Sequence, residues 1–343
     1  MIVFIEFNRK IKTLIVGALT LFAIIGTAVY GLQPVDTQAS QVSRIVTIPP
    51  GASTAEIAAL LTAEKVIRNQ LLFRILTRVE RMDDKLQAGE YEFATGMDAI
   101  QVLNKVASGE TVSYAFTIPE GFTIDQIALL LADKQLANRE RFIMLARSEN
   151  SKYNPANALG SSGRTIEGFL FPDTYRIPKG TKEEDIIAVM LNKFDATVTE
   201  EMRAKAASQG LSLYQLMTLA SLVEREARSA AERPIIAAVF LHRLRIEMPL
   251  QSCATIQYIL GTPKQELSIE DTRLESPYNT YLHPGLPPGP IANPGLASIQ
   301  AVLNPANTEV LYFVAKPDGT HIFSKTYEEH LQAIDQVSRI TQN

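Results

Sequence analysis

Residues 13–32, TLIVGALTLFAIIGTAVYGL, contain no charged side chain. A helix of that length, at about 1.5 Å per residue, crosses the hydrocarbon core of a bilayer. Arg9, Lys10 and Lys12 precede the run, whereas the first charges after it are Asp36 and Arg44. The positive-inside bias therefore predicts a cytoplasmic segment at 1–12, a span at 13–32, and everything later on the outer face. A cleaved signal peptide is the competing reading. The run is long for that role and no small-x-small site closes it, so a single-pass signal anchor is expected. No cysteine directly follows the run, which excludes a lipoprotein.

The 343 residues call for two or three domains, and 46% hydrophobic with 20% charged residues supplies packed cores. A net charge of -4 gives no electrostatic case for nucleic acid. Cys253 is the single cysteine, so neither an internal disulfide nor a multi-cysteine metal site can form. His242, His283, His321 and His330 show no ligand spacing. His321, beside a predicted strand, reads as a fold or cleft-wall residue.

Residues 33–43 read as a polar linker. Beyond it, Thr47-Ile48-Pro49-Pro50-Gly51 and a helix capped by Ser53 are echoed by Thr117-Ile118-Pro119-Glu120-Gly121 and a helix capped by Thr123. A strand at 89–93 and a helix at 97–107 ending at Gly109 lie between. The chain is thus predicted to be α+β. A small module at 44–113, whose strand-helix-helix-strand order resembles a LysM-like fold, precedes a larger mixed α+β domain at 114–343. By composition the module fits a generic packing unit as well as a sugar-binding one.

In the larger domain a Gly/Ser/Asn-rich loop is expected at 150–163. Residues 167–175, broken by Pro172, read as a surface-reaching turn. Thr181 with Glu184 and Ser229 with Glu232 have capping-box spacing. Between them Ser212 and Gln215 open a helix through LSLYQLMTLASLVEREAR. At about 100° per residue, Leu213, Leu216, Met217, Ala220 and Val223 fall on one side, and Tyr214, Thr218, Ser221 and Arg225 fall opposite. Glu224 lies on the apolar side, with Glu226 at its edge. A carboxyl there must pair, stay protonated or line a cleft. The run Glu224-Arg225-Glu226-Ala227-Arg228 equally fits a salt-bridged surface, and the helical wheel leaves both acids open.

No Gly-x-Ser-x-Gly, His-Glu-x-x-His or P-loop pattern occurs, and neither Ser252 nor Cys253 has a visible base. What remains is a semi-buried carboxyl and a loop at 276–295 rich in Pro, Tyr and Asn, a composition that suits sugars or a stiff connector. A carboxyl shielded by apolar neighbours keeps a proton it can give to a glycosidic oxygen. Glu167, Asp173 and Glu226 all remain open as a second acid.

Several motifs carry a family resemblance: Leu219-Ala220-Ser221-Leu222-Val223-Glu224-Arg225-Glu226, Phe240-Leu241-His242-Arg243-Leu244, Leu250-Gln251-Ser252, Tyr278-Asn279-Thr280-Tyr281, and Gly285-Leu286-Pro287-Pro288-Gly289-Pro290-Ile291. Taken in order, the chain resembles the YceG-like (MltG-type) endolytic murein transglycosylases of bacteria. The resemblance implies lytic cleavage of the MurNAc-GlcNAc bond in nascent peptidoglycan, leaving 1,6-anhydro ends and limiting strand length. It implies Glu224 as the catalytic acid and then base, with no metal or organic cofactor. Gln251, Ser252, Tyr278, Asn279 and Tyr281 are expected to line the glycan cleft. Implied partners are glycan strands, the inner membrane and peptidoglycan synthases. One departure is Cys253, where the family usually carries Asp. If that Asp tunes the acid, activity here is altered; if it only caps the next helix, the change costs about 1 kcal/mol. A non-catalytic wall-binding scaffold of the same fold is the alternative reading.

Overall fold

The computed structural model describes residues 2–36, 42–148, 165–262, 264 and 267–341. The loop expected at 150–163 and residues 37–41 of the expected linker lie outside the described residues. The chain divides into two compact units, 1–114 with 176–180 and 115–175 with 181–343.

The first unit opens with α1 (Ile2–Leu32), of which Leu14–Leu32 has a mean hydropathy of 2.1 and is long enough to cross a membrane. It continues through β1 (Ser43–Ile48), α2 (Thr54–Ala63), α3 (Gln70–Val79), β2 (Gly89–Ala94) and α4 (Ala99–Ser108). Strands β1 and β2 pair antiparallel, from Ser43 opposite Ala94 to Ile48 opposite Gly89. Val46 and Ile48 alternate inward to meet Tyr91 and Phe93, and α2, α3 and α4 close the core with Ile57, Leu61, Phe73, Val102 and Leu103. Capping boxes at Ser53–Glu56 and Asp98–Gln101 start α2 and α4. Because Asp98 is the cap, α4 begins two residues after the expected 97. Arg68 fastens the end of α1 through the Tyr30 hydroxyl and the carbonyls of Pro34 and Val35.

The second unit is mainly helical. Strand β3 (Ser113–Thr117) pairs with β4 (Thr174–Pro178), and the residues of this ribbon are shared between the units. Helices α5 (Ile124–Asp133), α6 (Arg139–Ala146), α7 (Glu183–Thr197), α8 (Glu200–Ser208), α9 (Leu213–Glu226), α10 (Arg233–Arg245), α11 (Cys253–Leu260) and α12 (Leu296–Leu303) follow in order. An antiparallel pair, β5 (Tyr312–Ala315) and β6 (His321–Ser324), and α13 (Tyr327–Thr341) complete it.

Three expectations are corrected. First, α9 is not amphipathic: Tyr214, Thr218 and Ser221 are as buried as Leu216 and Val223. The helix runs through the centre of the unit, packed by α8, α10, α11 and α12. Its hydroxyls are satisfied locally, Thr218 donating to the Tyr214 carbonyl and Ser221 to that of Thr218. Second, residues 167–172 do not reach the surface, with Glu167, Phe169, Leu170 and Phe171 buried; only Asp173 and Thr174 at the end of the run are accessible, and Tyr175 is buried again. Gly168, at φ +88, lets the backbone press on Pro290, where a Cβ would collide. Third, two capping boxes do not form. Helix α7 starts at Glu183 with no side-chain cap, and Glu184 is held by Arg141 at 2.7 Å. Glu232 instead takes the backbone N–H and Nδ1 of His321, at 3.0 and 2.8 Å.

Buried polar groups tie the loops together. Asn293 is fully buried; its Nδ2 donates to the Phe122 carbonyl and to Glu167, and its Oδ1 accepts from the Leu170 N–H. Its backbone bonds Phe122 and Gly121, both at 2.8 Å. Glu167, 1% exposed, also accepts from the Ile124 N–H at the start of α5. Burial pushes the Glu167 carboxyl up to about 8, against the pull of that N–H. Arg243, buried, donates to the carbonyls of Leu311 and Leu250 and so fixes the backbone entering Gln251.

Asn293→Ala leaves the buried Leu170 N–H without its acceptor and takes one donor each from Glu167 and the Phe122 carbonyl; it is expected to destabilise the protein by about 3 kcal/mol, read by denaturant unfolding. Glu167 gives a pH signature. The folded state holds a proton that the unfolded chain releases above its ordinary carboxylate value, so this group's stability contribution is complete at pH 4.5 and is lost as pH rises through about 8. Melting temperature should fall between pH 5 and 8.5 more steeply in wild type than in Glu167→Gln, which keeps the acceptor but not the titration.

Candidate functional site

The Ser212–Gln215 capping box starts α9, and tertiary burial carries it to its last turn. Only there does the chain place acids. Two carboxylates at a helix C-terminus face the negative end of the dipole, a disadvantage of about 0.3–1 kcal/mol each unless partners supply donors. Both have such partners. Glu224, whose side chain is 7% exposed, accepts at Oε2 from the Ser298 hydroxyl at 2.7 Å and from the Gly295 N–H at 3.1 Å. Among the described residues its Oε1 has only the Arg233 guanidinium, at 3.5 Å. Arg233 Nε in turn donates to Ser298 Oγ at 3.1 Å, closing a ring of three side chains from α9, α10 and α12. The other Glu224 neighbour is the turn at Gly121, whose Cβ position lies 3.6 Å from Glu224 Cγ.

Glu226 turns the other way. Its Oε1 accepts from the Ser252 hydroxyl and from the Ala254 N–H, the latter at 3.3 Å. A carboxylate from α9 thus caps α11, while Ser252, in the N-cap position, makes no side-chain cap bond. Cys253 is the first residue of α11, so the side chain at this position is not the cap. Its sulfur lies 3.1 Å from the Tyr281 hydroxyl.

The expected cleft residues divide by exposure. Gln251 is exposed and held at φ +49 by its N–H bond to the Thr280 carbonyl, a left-handed conformation unusual for a non-glycine residue. Tyr278 packs on Tyr258 with ring centroids 5.1 Å apart, and both line a cavity of about 760 Å³ together with Arg139, Arg147 and Arg225. Ser252 is buried against Glu226 and Tyr281 is half-buried. Asn279 corrects the expectation: it is fully buried, its amide donating to the Thr272 and Leu274 carbonyls and accepting from the Tyr281 N–H. It shapes the loop and offers nothing to a ligand.

None of the three acids considered as a second carboxyl shares a partner with Glu224. Glu167 belongs to the Asn293 network, Glu226 binds Ser252, and Asp173 pairs with Lys193 at 2.6 Å, which holds its carboxyl below the usual range. Among the described residues no three His, Cys, Asp or Glu side chains converge as a metal site. Arg233, Ser298 and Gly295 went unnoticed in the sequence. A signal existed for Arg233: a cation in the first turn of a helix opposes the dipole and calls for an anionic partner. Ser298, a lone hydroxyl among apolar α12 positions, calls for a buried acceptor.

The YceG-like family profile matches residues 46–336. An endolytic murein transglycosylase of Bacillus subtilis is 36% identical over 324 residues, covering 90% of this chain and 89% of that one. One from Streptococcus pneumoniae is 31% identical over 93% of this chain, which spans 64% of its length. A crystal structure of a YceG-like protein from Listeria monocytogenes, 34% identical, covers 84% of this chain and 98% of its own, with a TM-score of 0.58. A profile match over most of the length, with relatives alike across nine-tenths of it, means that the chain belongs to the YceG-like family.

Proposed function

We propose that the protein is a membrane-anchored endolytic peptidoglycan transglycosylase and that Glu224 is its catalytic acid and base. The observation that carries this reading is the asymmetry of the Glu224 carboxyl. Ser298 and Gly295 occupy Oε2, which leaves Oε1, with its one longer contact, as the atom to carry and deliver a proton. Glu224 protonates the glycosidic oxygen as the bond from C1 of MurNAc breaks. The resulting carboxylate takes the proton of the C6 hydroxyl while that oxygen bonds to C1. The proton balance closes on one residue and no water is consumed. Ser298 and Gly295 keep the carboxylate oriented between the two steps.

Gln251, Ser252, Tyr278 and Tyr281 are the groups we assign to the glycan side, Gln251 and Tyr278 through their accessible surfaces and the other two by holding them. Residues 44–113 are read as a LysM-like module on their β1-α2-α3-β2 order, and 114–343 as the catalytic domain. The apolar α1 and the basic residues before it support a single-pass inner-membrane anchor with the cytoplasm at residues 1–12. In that placement the substrate is nascent glycan beside the synthases that make it.

The test is digestion of purified peptidoglycan by the full-length protein in detergent, with products read by mass spectrometry. Anhydro ends are expected. Glu224→Gln should lower their rate by about 10³-fold or more, the usual scale of losing an acid–base group. Ser298→Ala, which removes one hydrogen bond to a charged group, should cost roughly 10- to 100-fold in rate. Unchanged yield in Glu224→Gln removes the assignment of Glu224, whereas no anhydro ends from wild type leave a wall-binding scaffold. Reducing ends in place of anhydro ends make the enzyme a hydrolase.

A further inference from the structure

The turn Thr117-Ile118-Pro119-Glu120-Gly121 has a sister in Thr47-Ile48-Pro49-Pro50-Gly51, which serves as an internal control. Both end on a glycine in the left-handed region, at φ +78 for Gly121 and +79 for Gly51, and both lead into a helix with a capping box. The turn itself requires no acid at its fourth position, which is Pro50 in one copy and Glu120 in the other. The surroundings differ. A Cβ at Gly51 would meet nothing within 4 Å, whereas Gly121 looks onto Glu224 and Arg225.

Glu120 Oε2 lies 3.9 Å from Arg233 Nη2, the same nitrogen that is 3.5 Å from Glu224 Oε1. Its carboxyl covers Gly295 so closely that any Cβ there would collide with it, and the Gly295 N–H is the donor to Glu224. One guanidinium therefore serves two carboxylates. Arg233 is mostly buried while Glu120 is half-exposed. The charged groups around the turn are Glu224 and Arg225 from α9 and Arg233 from α10; α12 presents the Ser298 hydroxyl. Partial burial and then the Glu224 charge push the Glu120 carboxyl above its ordinary value, while Arg233 pulls it down.

We infer that Glu120 is a positioning residue for the proposed acid: it competes with Glu224 for Arg233 and receives the guanidinium whenever Glu224 carries its proton. A mostly buried guanidinium left without an anion is costly. Glu120 supplies that anion while Glu224 is neutral, and Arg233 returns when Glu224 has given its proton to the leaving oxygen. Without Glu120 the guanidinium stays on Glu224 and favours its charged form, which cannot donate. The inference rests on the acid role proposed for Glu224.

The experiment is the rate of anhydro-end formation by the full-length protein in detergent from pH 5 to 9, in wild type, Glu120→Gln and Glu120→Asp. Pro50 in the sister turn means that the turn tolerates the substitutions, and melting temperatures verify it. Glu120→Gln should lose about tenfold more rate at pH 8 than at pH 5, its alkaline limb moving toward acid. Glu120→Asp, which keeps the charge, should retain the wild-type limb. A loss equal at every pH, or an unchanged profile in Glu120→Gln, overturns the role of Glu120 alone. Absence of anhydro product from wild type at every pH overturns the proposed activity as well.

Discussion

One buried residue, Asn293, joins two turns of the second unit through its amide and its backbone. Its side chain and backbone together reach Gly121, Phe122, Glu167 and Leu170, which belong to two separate turns. In a low-dielectric interior such a network is stable only when every member is satisfied, and here each partner supplies the complementary donor or acceptor. The geometry at Glu224 is downstream of it. Gly121 sets the turn facing Glu224, and Gly295, two residues beyond Asn293, delivers its N–H to the same carboxylate.

The second constraint is the burial of α9. A helix surrounded on all sides has no solvent face for charge, so its acids appear only in the last turn, where the backbone carbonyls also run out of partners. The two carboxylates leave on opposite sides, one to Arg233 and Ser298, the other to Ser252 and the start of α11. Side chains from α10, α11 and α12 are thus registered against a single helix end. Glu224 and the Gln251–Cys253 segment are held in relation to each other through its rigidity.

Local signals were legible in the sequence. The helix caps at Ser53, Thr123 and Ser212 appear as read, each as a full capping box. The boxes that failed did so for a shared reason: Glu184 and Glu232 each found a tertiary partner, Arg141 and His321, that outbid the backbone nearby. The misplaced position of Glu224 was visible by periodicity, although the polar face assigned to the same helix was not solvent. Asn279 matched a motif and proved to be scaffold. The partners of Glu224 were hidden because they come from the starts of α10 and α12 and from a turn near residue 120, and no local pattern links segments so far apart.

That separation bears on how the protein is made. The two donors to Glu224 Oε2 stand 71 and 74 residues after it in the chain. A chain growing from its N-terminus therefore exposes this carboxyl long before Gly295 and Ser298 exist to hold it, and contacts of such span form late. An incomplete copy has the acid without its orientation. The full constellation cannot close before residue 298 has been made, so synthesis itself withholds it until most of the second unit is present.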